Sequence, residues 1–368
     1  MKILILNWRC PKNPLSGGAE KVTFEHVKAW TKKGQDITWL SGNYPHGKKF
    51  EIIDTVKIYR FGDPITIYIL APFIYWLKFK ADFDLVIDEI HGLPFLIPLW
   101  SYKSKKLAYI HEVAQEIWDE MFSFPINIFG KLYEKIYFFF YKNTPFLTGS
   151  PSTKKDLIKY GIPEKNITII PHGLFLNPLN KIPKKGKKLT LIFISRLVKM
   201  KGIEETLKIF SLVKEKVKNV QFFVVGDGEK KYINYLKQQT RKLKIEADVR
   251  FFGYVGDQQK TILLQTSHFL IHTSVREGFG LVVTEANSQG TPVIVYDSPG
   301  LRDVVKNGIN GYQIAKGDVE KMTDKIVEVF DDKKIYNYLV KKSIQYAKSF
   351  DWQKITEQSY NFIKFLTL

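Results

Sequence analysis

Short apolar runs alternate with longer stretches of helical period along the whole chain. "KILILN", "DITWLS", "FDLVIDE", "KLAYIHE" and "PFLTGS" predict strands in the first half, and "LTLIFIS", "VQFFVVG", "VRFFGYV", "HFLIHTS" and "TPVIVYD" predict them in the second. Strands that are apolar throughout, without alternation, are covered on both faces, so the pattern predicts α/β architecture with parallel sheets and helices on either side. Between the two sets lies "NPLNKIPKKGKK", residues 177–188, whose prolines, glycine and lysines suit neither a helix interior nor a central strand. It is the expected linker between an N-terminal domain, residues 1–176, and a C-terminal domain, residues 189–350. Residues 351–368 place Trp352, Ile355, Phe362, Ile363 and Leu366 near one face of a helix with Asp351 as its N-cap, expected to pack back toward the N-terminal domain.

A length of 368 residues exceeds one ordinary core and agrees with two domains, and 45% hydrophobic against 25% charged residues excludes a disordered chain. The single cysteine, Cys10, makes no intrachain disulfide and no structural zinc cluster, which fits a reducing, cytoplasmic setting. The apolar run after Met1 reads as a buried strand and not as a signal-peptide core. Two aromatic-rich stretches, from Leu85 to Trp100 and from Ile126 to Tyr141, carry charges within any window of about 20 residues, so neither reads as a membrane span. The net charge of +19 admits anionic lipid, phosphorylated ligands or a plain lysine-rich solvated surface. No nucleic-acid module is recognisable, so nucleic acid is not an expected partner.

In doubly wound sheets, ligands bind at the carboxyl ends of strands, where glycine loops lead into helix N-termini. Gly17-Gly18 follows the first strand and precedes a helix near Ala19, although a plain turn accounts for it equally well. "FISRLVKMKGIEE" delivers Arg196, a planar fork, and Lys201, a mobile point charge, a natural pair for a diphosphate; a solvated basic loop is the alternative. Gly226 and Gly228 in "VVGDGE" read as a tight turn. The strongest loop is "HTSVREGFGLVVTEANSQGTPVIV". Here Glu277 lies on the loop, a helix starts near Leu281 with its amides pointing outward, and Glu285 follows about one turn further in. Such a loop offers amides for phosphate and carboxylates for hydroxyls, whereas an ordinary helical glutamate would only pair with a lysine. The nicotinamide and P-loop fingerprints are absent, and "DFD" at 82–84 precedes an apolar strand instead of ending one, so no metal site is read there.

With "SRLVKMKG", "VVGDGE", "PGLRDVVKNGINGY" and "DWQKI", the E-x7-E stretch from Glu277 to Glu285 resembles the retaining glycosyltransferases of the GT-B fold, family 4, the "glycosyl transferases group 1" class. The motifs stand in the family's order over nearly the whole chain. The resemblance implies two Rossmann-like domains with parallel sheets facing across a cleft, and a hexosyltransferase-type enzyme using a nucleotide-diphosphate sugar, UDP- or GDP-linked, with no metal and no other cofactor. It implies that Arg196 and Lys201 bind the donor diphosphate, completed by amides near Gly280, Leu281 and Val282. Glu285 would hold the ribose hydroxyls and Glu277 the donor sugar's hydroxyls. Gly17 and Gly18 would close over the donor from the opposite domain, and His111 in "YIHE" would lie near the transferred sugar and acceptor; without the resemblance, His111 reads as a buried core histidine. The chemistry implied is front-face displacement, in which the leaving phosphate takes the acceptor proton. Where the family often reads P-N-G-V-D, this chain reads Pro171-His172-Gly173-Leu174-Phe175, so the acidic position is Phe175.

The expected acceptor is a glycan or a lipid-linked sugar. "KLYEKIYFFFYKN" and "STKKDLIKY" mix aromatics with lysines and suggest a peripheral contact with an anionic membrane surface at the inner face, although core packing accounts for each aromatic taken singly. The alternative reading is a non-catalytic or regulatory protein that keeps the fold and binds a nucleotide sugar. The filled motif positions argue against it.

Overall fold

The computed structural model describes residues 1–368. In its first half the strands are β1 (Lys2–Leu6), β2 (Asp36–Ser41), β3 (Phe50–Ile53), β4 (Val56–Arg60), β5 (Leu85–Ile90), β6 (Lys105–Ile110), β7 (Phe146–Thr148) and β8 (Ile167–Ile169). In its second half they are β9 (Leu189–Ile194), β10 (Val220–Val225), β11 (Val249–Gly253), β12 (Phe269–His272), β13 (Val293–Tyr296) and β14 (Gly311–Ile314).

The first set forms one sheet in the order β3-β4-β2-β1-β5-β6-β7-β8, parallel except for the β3–β4 hairpin. The second forms a wholly parallel sheet in the order β11-β10-β9-β12-β13-β14. Both reverse direction beside their first strand, at β1/β5 and at β9/β12, and crevices at the carboxyl ends of such strands are where this class of sheet binds ligands. All ten runs read as strands lie in these sheets. The four strands not read are the edge hairpin β3–β4 and the short β8 and β14. Edge and three- or four-residue strands bury too little side chain to leave a continuous apolar run.

Two compact units result. One holds residues 1–115, 124–173 and 351–368; the other holds 116–123 and 174–350. This division differs from the expected one in two details. The short segment Glu116–Ser123, including the helical turn Ile117–Met121, belongs with the second unit, and residues 174–188, which take in the proline- and lysine-rich stretch 177–188, are part of that unit too. Its attachment is explicit: Leu179 N–H donates to the Ser288 carbonyl (3.0 Å), and Lys185 Nζ donates to the carbonyls of Leu264 (3.3 Å) and Ser267 (2.6 Å) and to Thr291 Oγ1 (3.0 Å). A lysine with three acceptors in reach is a fixed strut and not a swivel.

In the first unit, Leu4, Leu6, Leu40, Val86 and Ala108 of the sheet pack with Ile67, Ala71, Tyr137, Phe138 and Tyr141 from the helices that follow β4 and β6. The opposite face carries the helix Gly18–Lys32 and the final helix Trp352–Thr367, whose N-cap Asp351 accepts from Lys354 N–H (3.0 Å). These two helices are pinned through Ser359 Oγ, which accepts from Trp30 Nε1 (3.0 Å) and from His26 Nδ1 (2.8 Å) while donating to the Thr356 carbonyl. Asp82 and Asp84 of "DFD" bind Lys2 at the start of β1, the end of the sheet remote from its crevice.

Candidate active site

The second unit assembles its charged residues at the β9/β12 reversal. After β9 the chain runs through Arg196 into a single turn, Lys199–Lys201, that ends on Gly202 in the left-handed region (φ 75°) and starts the helix Ile203–Lys216. A Cβ at Gly202 would stand 2.2 Å from the Thr273 carbonyl oxygen, so only glycine lets this turn lie against the loop after β12. That loop is stitched to the turn by Val275 N–H donating to the Met200 carbonyl (2.9 Å) and Thr273 Oγ1 donating to the Gly202 carbonyl (2.6 Å). The two loops are therefore one object.

The result is an ion pair between two residues 76 positions apart: Lys201 Nζ donates to Glu277 Oε1 at 2.7 Å. Burial pushes the Glu277 carboxyl up, but the Lys201 ammonium, His272 and the Ser274 hydroxyl outweigh it and hold the group below the usual carboxylate range. Lys201 has three N–H donors and spends one on Glu277, leaving two for an anion. Three residues on, Gly280 (φ 89°) caps the helix Leu281–Ser288 in a left-handed conformation that a side chain would resist. The first amides of that helix, around Gly280, Leu281 and Val282, have no carbonyl of their own turn to bond, and the helix dipole favours negative charge there.

Glu285 lies on this helix, buried, with Oε1 2.8 Å from Lys260 Nζ. The lysine partner that an ordinary helical glutamate would find is thus present, but the pair is almost out of water and not on a solvated face. Arg196 is exposed and makes no ion pair. The "VVGDGE" turn serves the same loop, since Leu197 N–H donates to the Asp227 carbonyl at 2.8 Å. Three residues of this site have no counterpart among the sequence expectations. They are Lys260; His272, whose Nε2 lies 3.8 Å from Glu277 and whose ring burial drives down to about 4; and Arg276, paired at 2.7 Å with Glu116 of the segment 116–123. His272 and Arg276 stand inside the quoted motif and were overlooked because their types carry no fixed role there; nothing in the sequence links Lys260 to Glu285.

The remaining expected residues lie in the first unit. Gly17 is the N-cap and Gly18 the first residue of the helix Gly18–Lys32, and the Gly17 N–H donates to Glu20 Oε2 at 2.6 Å. Neither glycine has a positive φ, and a Cβ at Gly17 would meet only the Glu20 carboxylate at 3.7 Å, so the fold of this unit does not itself require glycine at 17. His111 follows β6 and is buried, with Nε2 3.3 Å from Glu89 Oε2 and Nδ1 3.3 Å from His172 Nε2. Glu89, His91 and His111 form the chain's one cluster with the donor types of a metal centre, their candidate atoms lying within 4.8 Å of one another. A tetrahedral ion with bonds of about 2.1 Å needs its ligands roughly 3.4 Å apart. Glu89 Oε2 stands 3.3 Å from His111 Nε2 and 3.6 Å from His91 Nε2, distances that are also those of hydrogen-bonded neighbours.

Comparison with known proteins agrees with this geometry. The model of the Glycosyltransferase Family 4 domain matches residues 16–177, and that of Glycosyl transferases group 1 matches residues 178–346. An uncharacterized glycosyltransferase of Methanocaldococcus jannaschii is 26% identical over 94% of each chain, and one of Haemophilus influenzae is 24% identical over 93% of this chain and 95% of its own. Among solved structures, HepE of Anabaena in complex with UDP-glucose is 18% identical with a TM-score of 0.77 over 99% of each chain. The sucrose-phosphate synthase of Thermosynechococcus elongatus is 16% identical with a TM-score of 0.81, covering 99% of this chain and 98% of that one. With two family models in register over the two sheets and relatives matching end to end, the chain belongs to the family 4 glycosyltransferases of GT-B fold and is an enzyme of the hexosyltransferase type.

Proposed function

We propose that the enzyme moves a sugar from a UDP- or GDP-linked donor to a glycan or lipid-linked acceptor with retention of anomeric configuration, using no metal and no other cofactor. The observation that carries this reading is the Lys201–Glu277 pair beside the free amides at Gly280–Val282, at the carboxyl ends of the strands flanking the β9/β12 reversal. The diphosphate takes the two spare donors of Lys201, the Arg196 guanidinium and the helix amides, which stabilise charge as it builds on the leaving group. Glu277 keeps one oxygen on Lys201 and offers the other to donor-sugar hydroxyls, while Glu285 receives the ribose. As the anomeric carbon–phosphate bond breaks, the acceptor oxygen bonds to the same face of that carbon, and its proton passes to the departing phosphate oxygen. Cations and amides supply the positive charge that a metal would otherwise bring. His111 is assigned to the transferred sugar and acceptor. A solved neighbour that holds UDP-glucose supports uracil as the base.

The acceptor reading draws on the outer surface of the first unit. No helix is long and apolar enough to cross a membrane. The helix Ile126–Phe140 nevertheless exposes Ile128, Phe129, Leu132, Ile136 and Phe139, and the preceding stretch exposes Ile65, Ile69, Phe73 and Leu77; the inner residues of both share one core. The only carboxylate of the helix Ile126–Phe140, Glu134, is turned inward and accepts from the N–H groups of Ala114 (2.8 Å) and Gln115 (3.0 Å), so its outer face carries lysine charge only. An apolar surface with a basic rim suits an anionic bilayer and a lipid-linked acceptor. Calorimetric titration with UDP, GDP and ADP in the absence of metal tests the donor reading: saturable binding of UDP or GDP, lost in Lys201→Ala, is expected, and binding of none sinks it.

A further inference from the structure

The hydrogen-bonding roles around His111 are fixed by its neighbours. Asn7 Oδ1 accepts the Arg9 N–H at 3.0 Å, so the Asn7 amide N–H faces His91 Nε2 at 3.4 Å, and that ring nitrogen is the acceptor. His91 Nε2 then has no proton to give Glu89 Oε2, 3.6 Å away. Glu89 is buried in β5, with Oε1 accepting from Thr23 Oγ1 at 2.7 Å, and although burial pushes its carboxyl up, the group lies below its usual range. A buried carboxylate needs a donor on each oxygen. The group placed to serve Oε2 is His111 Nε2–H, at 3.3 Å. His111 Nδ1 is then a bare acceptor, satisfied by His172 Nε2–H at 3.3 Å; burial holds His172 well below the usual range and therefore neutral.

From this chain of contacts we propose that Glu89 is a positioning residue for transfer, holding His111 in its Nε2–H tautomer through a relay that runs Thr23, Glu89, His111, His172. The proposal rests on the assignment of His111 to the transferred sugar and acceptor. Glu89 lies on the strand beside β1, and His111 at the end of the next strand, so the relay occupies the crevice of the first sheet's own reversal. The relay itself holds no lysine or arginine, His91 Nε2 also faces the carboxylate at 3.6 Å, and the contact of Glu89 with His111 fixes the plane of the His111 ring.

Two readouts test it, using the whole enzyme. Nitrogen-15 spectra of histidine-labelled protein, with His111 identified by its loss in His111→Ala, report the tautomer without any turnover. A single Nε2–H form is expected in the wild type, and an Nδ1–H form or rapid averaging overturns the proposal. In Glu89→Gln, a side chain of the same shape, that preference should weaken. Its kcat should fall at least about tenfold with the donor KM within about twofold. An unchanged kcat and an unchanged tautomer preference in a folded Glu89→Gln enzyme overturn the proposal. Should that variant fail to fold, Thr23→Val, which removes the donor that orients Glu89 Oε1, must show the same weakened tautomer preference, and an unchanged preference overturns the proposal. Failure of the transfer reading is seen separately, as absence of turnover by the wild type with every UDP- and GDP-sugar offered.

Discussion

The residues gathered at the β9/β12 reversal and those around Glu89 are held by opposite means. In the second unit three carboxylates are each matched by a cation: Glu277 by Lys201, Glu285 by Lys260, Glu116 by Arg276. Around the first, the buried carboxylate Glu89 is met by a hydroxyl and imidazoles. The difference teaches what each is built to exchange. Ion pairs with spare donors accept a doubly charged group without building a charge centre afresh, whereas a hydrogen-bonded relay fixes tautomer and direction and suits a neutral hydroxyl.

The contrast breaks most visibly at Lys201. Lys201→Ala should lower kcat/KM by about 10²–10³, since it removes a preorganised cation from the developing charge and leaves Glu277 unpaired; steady-state kinetics near wild type would erase the distinction between the sheets. Next comes Glu285→Ala. It should weaken UDP affinity by about 10-fold or more with kcat less affected, consistent with a hydroxyl-binding role that is equal in ground and transition states; calorimetry decides.

Acid tests the region at the β9/β12 reversal. The His272 ring, driven down to about 4 by burial, contributes stability that is fully present above its unfolded value of about 6.5 and is lost as pH falls from there toward 4. Between pH 7 and 5 that loss is about 2 kcal/mol, and a His272→Leu variant should show a correspondingly shallower fall in urea midpoint. Smallest is the outer surface of the first unit. Flotation with anionic vesicles should recover the wild type, and Phe129→Asp with Leu132→Asp should cut recovery severalfold without changing turnover of a soluble acceptor. Equal recovery of wild type and double variant would remove the bilayer from the acceptor reading.

Legibility in the sequence follows the same divide. The E-x7-E loop was readable because both its glutamates and its helix start lie within one stretch, and Lys201 because its loop ends a strand that is apolar throughout. Lys260 was not, since α-helical lysines are common and only the sheet order brings this one to Glu285. The relay was hidden for a related reason. Thr23, Glu89, His111 and His172 come from a helix, a strand and two loops far apart in the chain, and each taken singly has the ordinary look of a core residue. Parallel strand neighbours are set by crossover connections, which sequence periodicity does not encode.

The return of residues 351–368 to the first unit bears on how the protein is made. On the ribosome, the N-terminal sheet emerges early, yet the face bearing His26 and Trp30 stays uncovered until the second unit has been synthesised and the helix Trp352–Thr367 follows it out. The half translated first is therefore the half completed last, and a nascent chain stalled at residue 350 presents an apolar groove for chaperones to occupy until its own helix arrives.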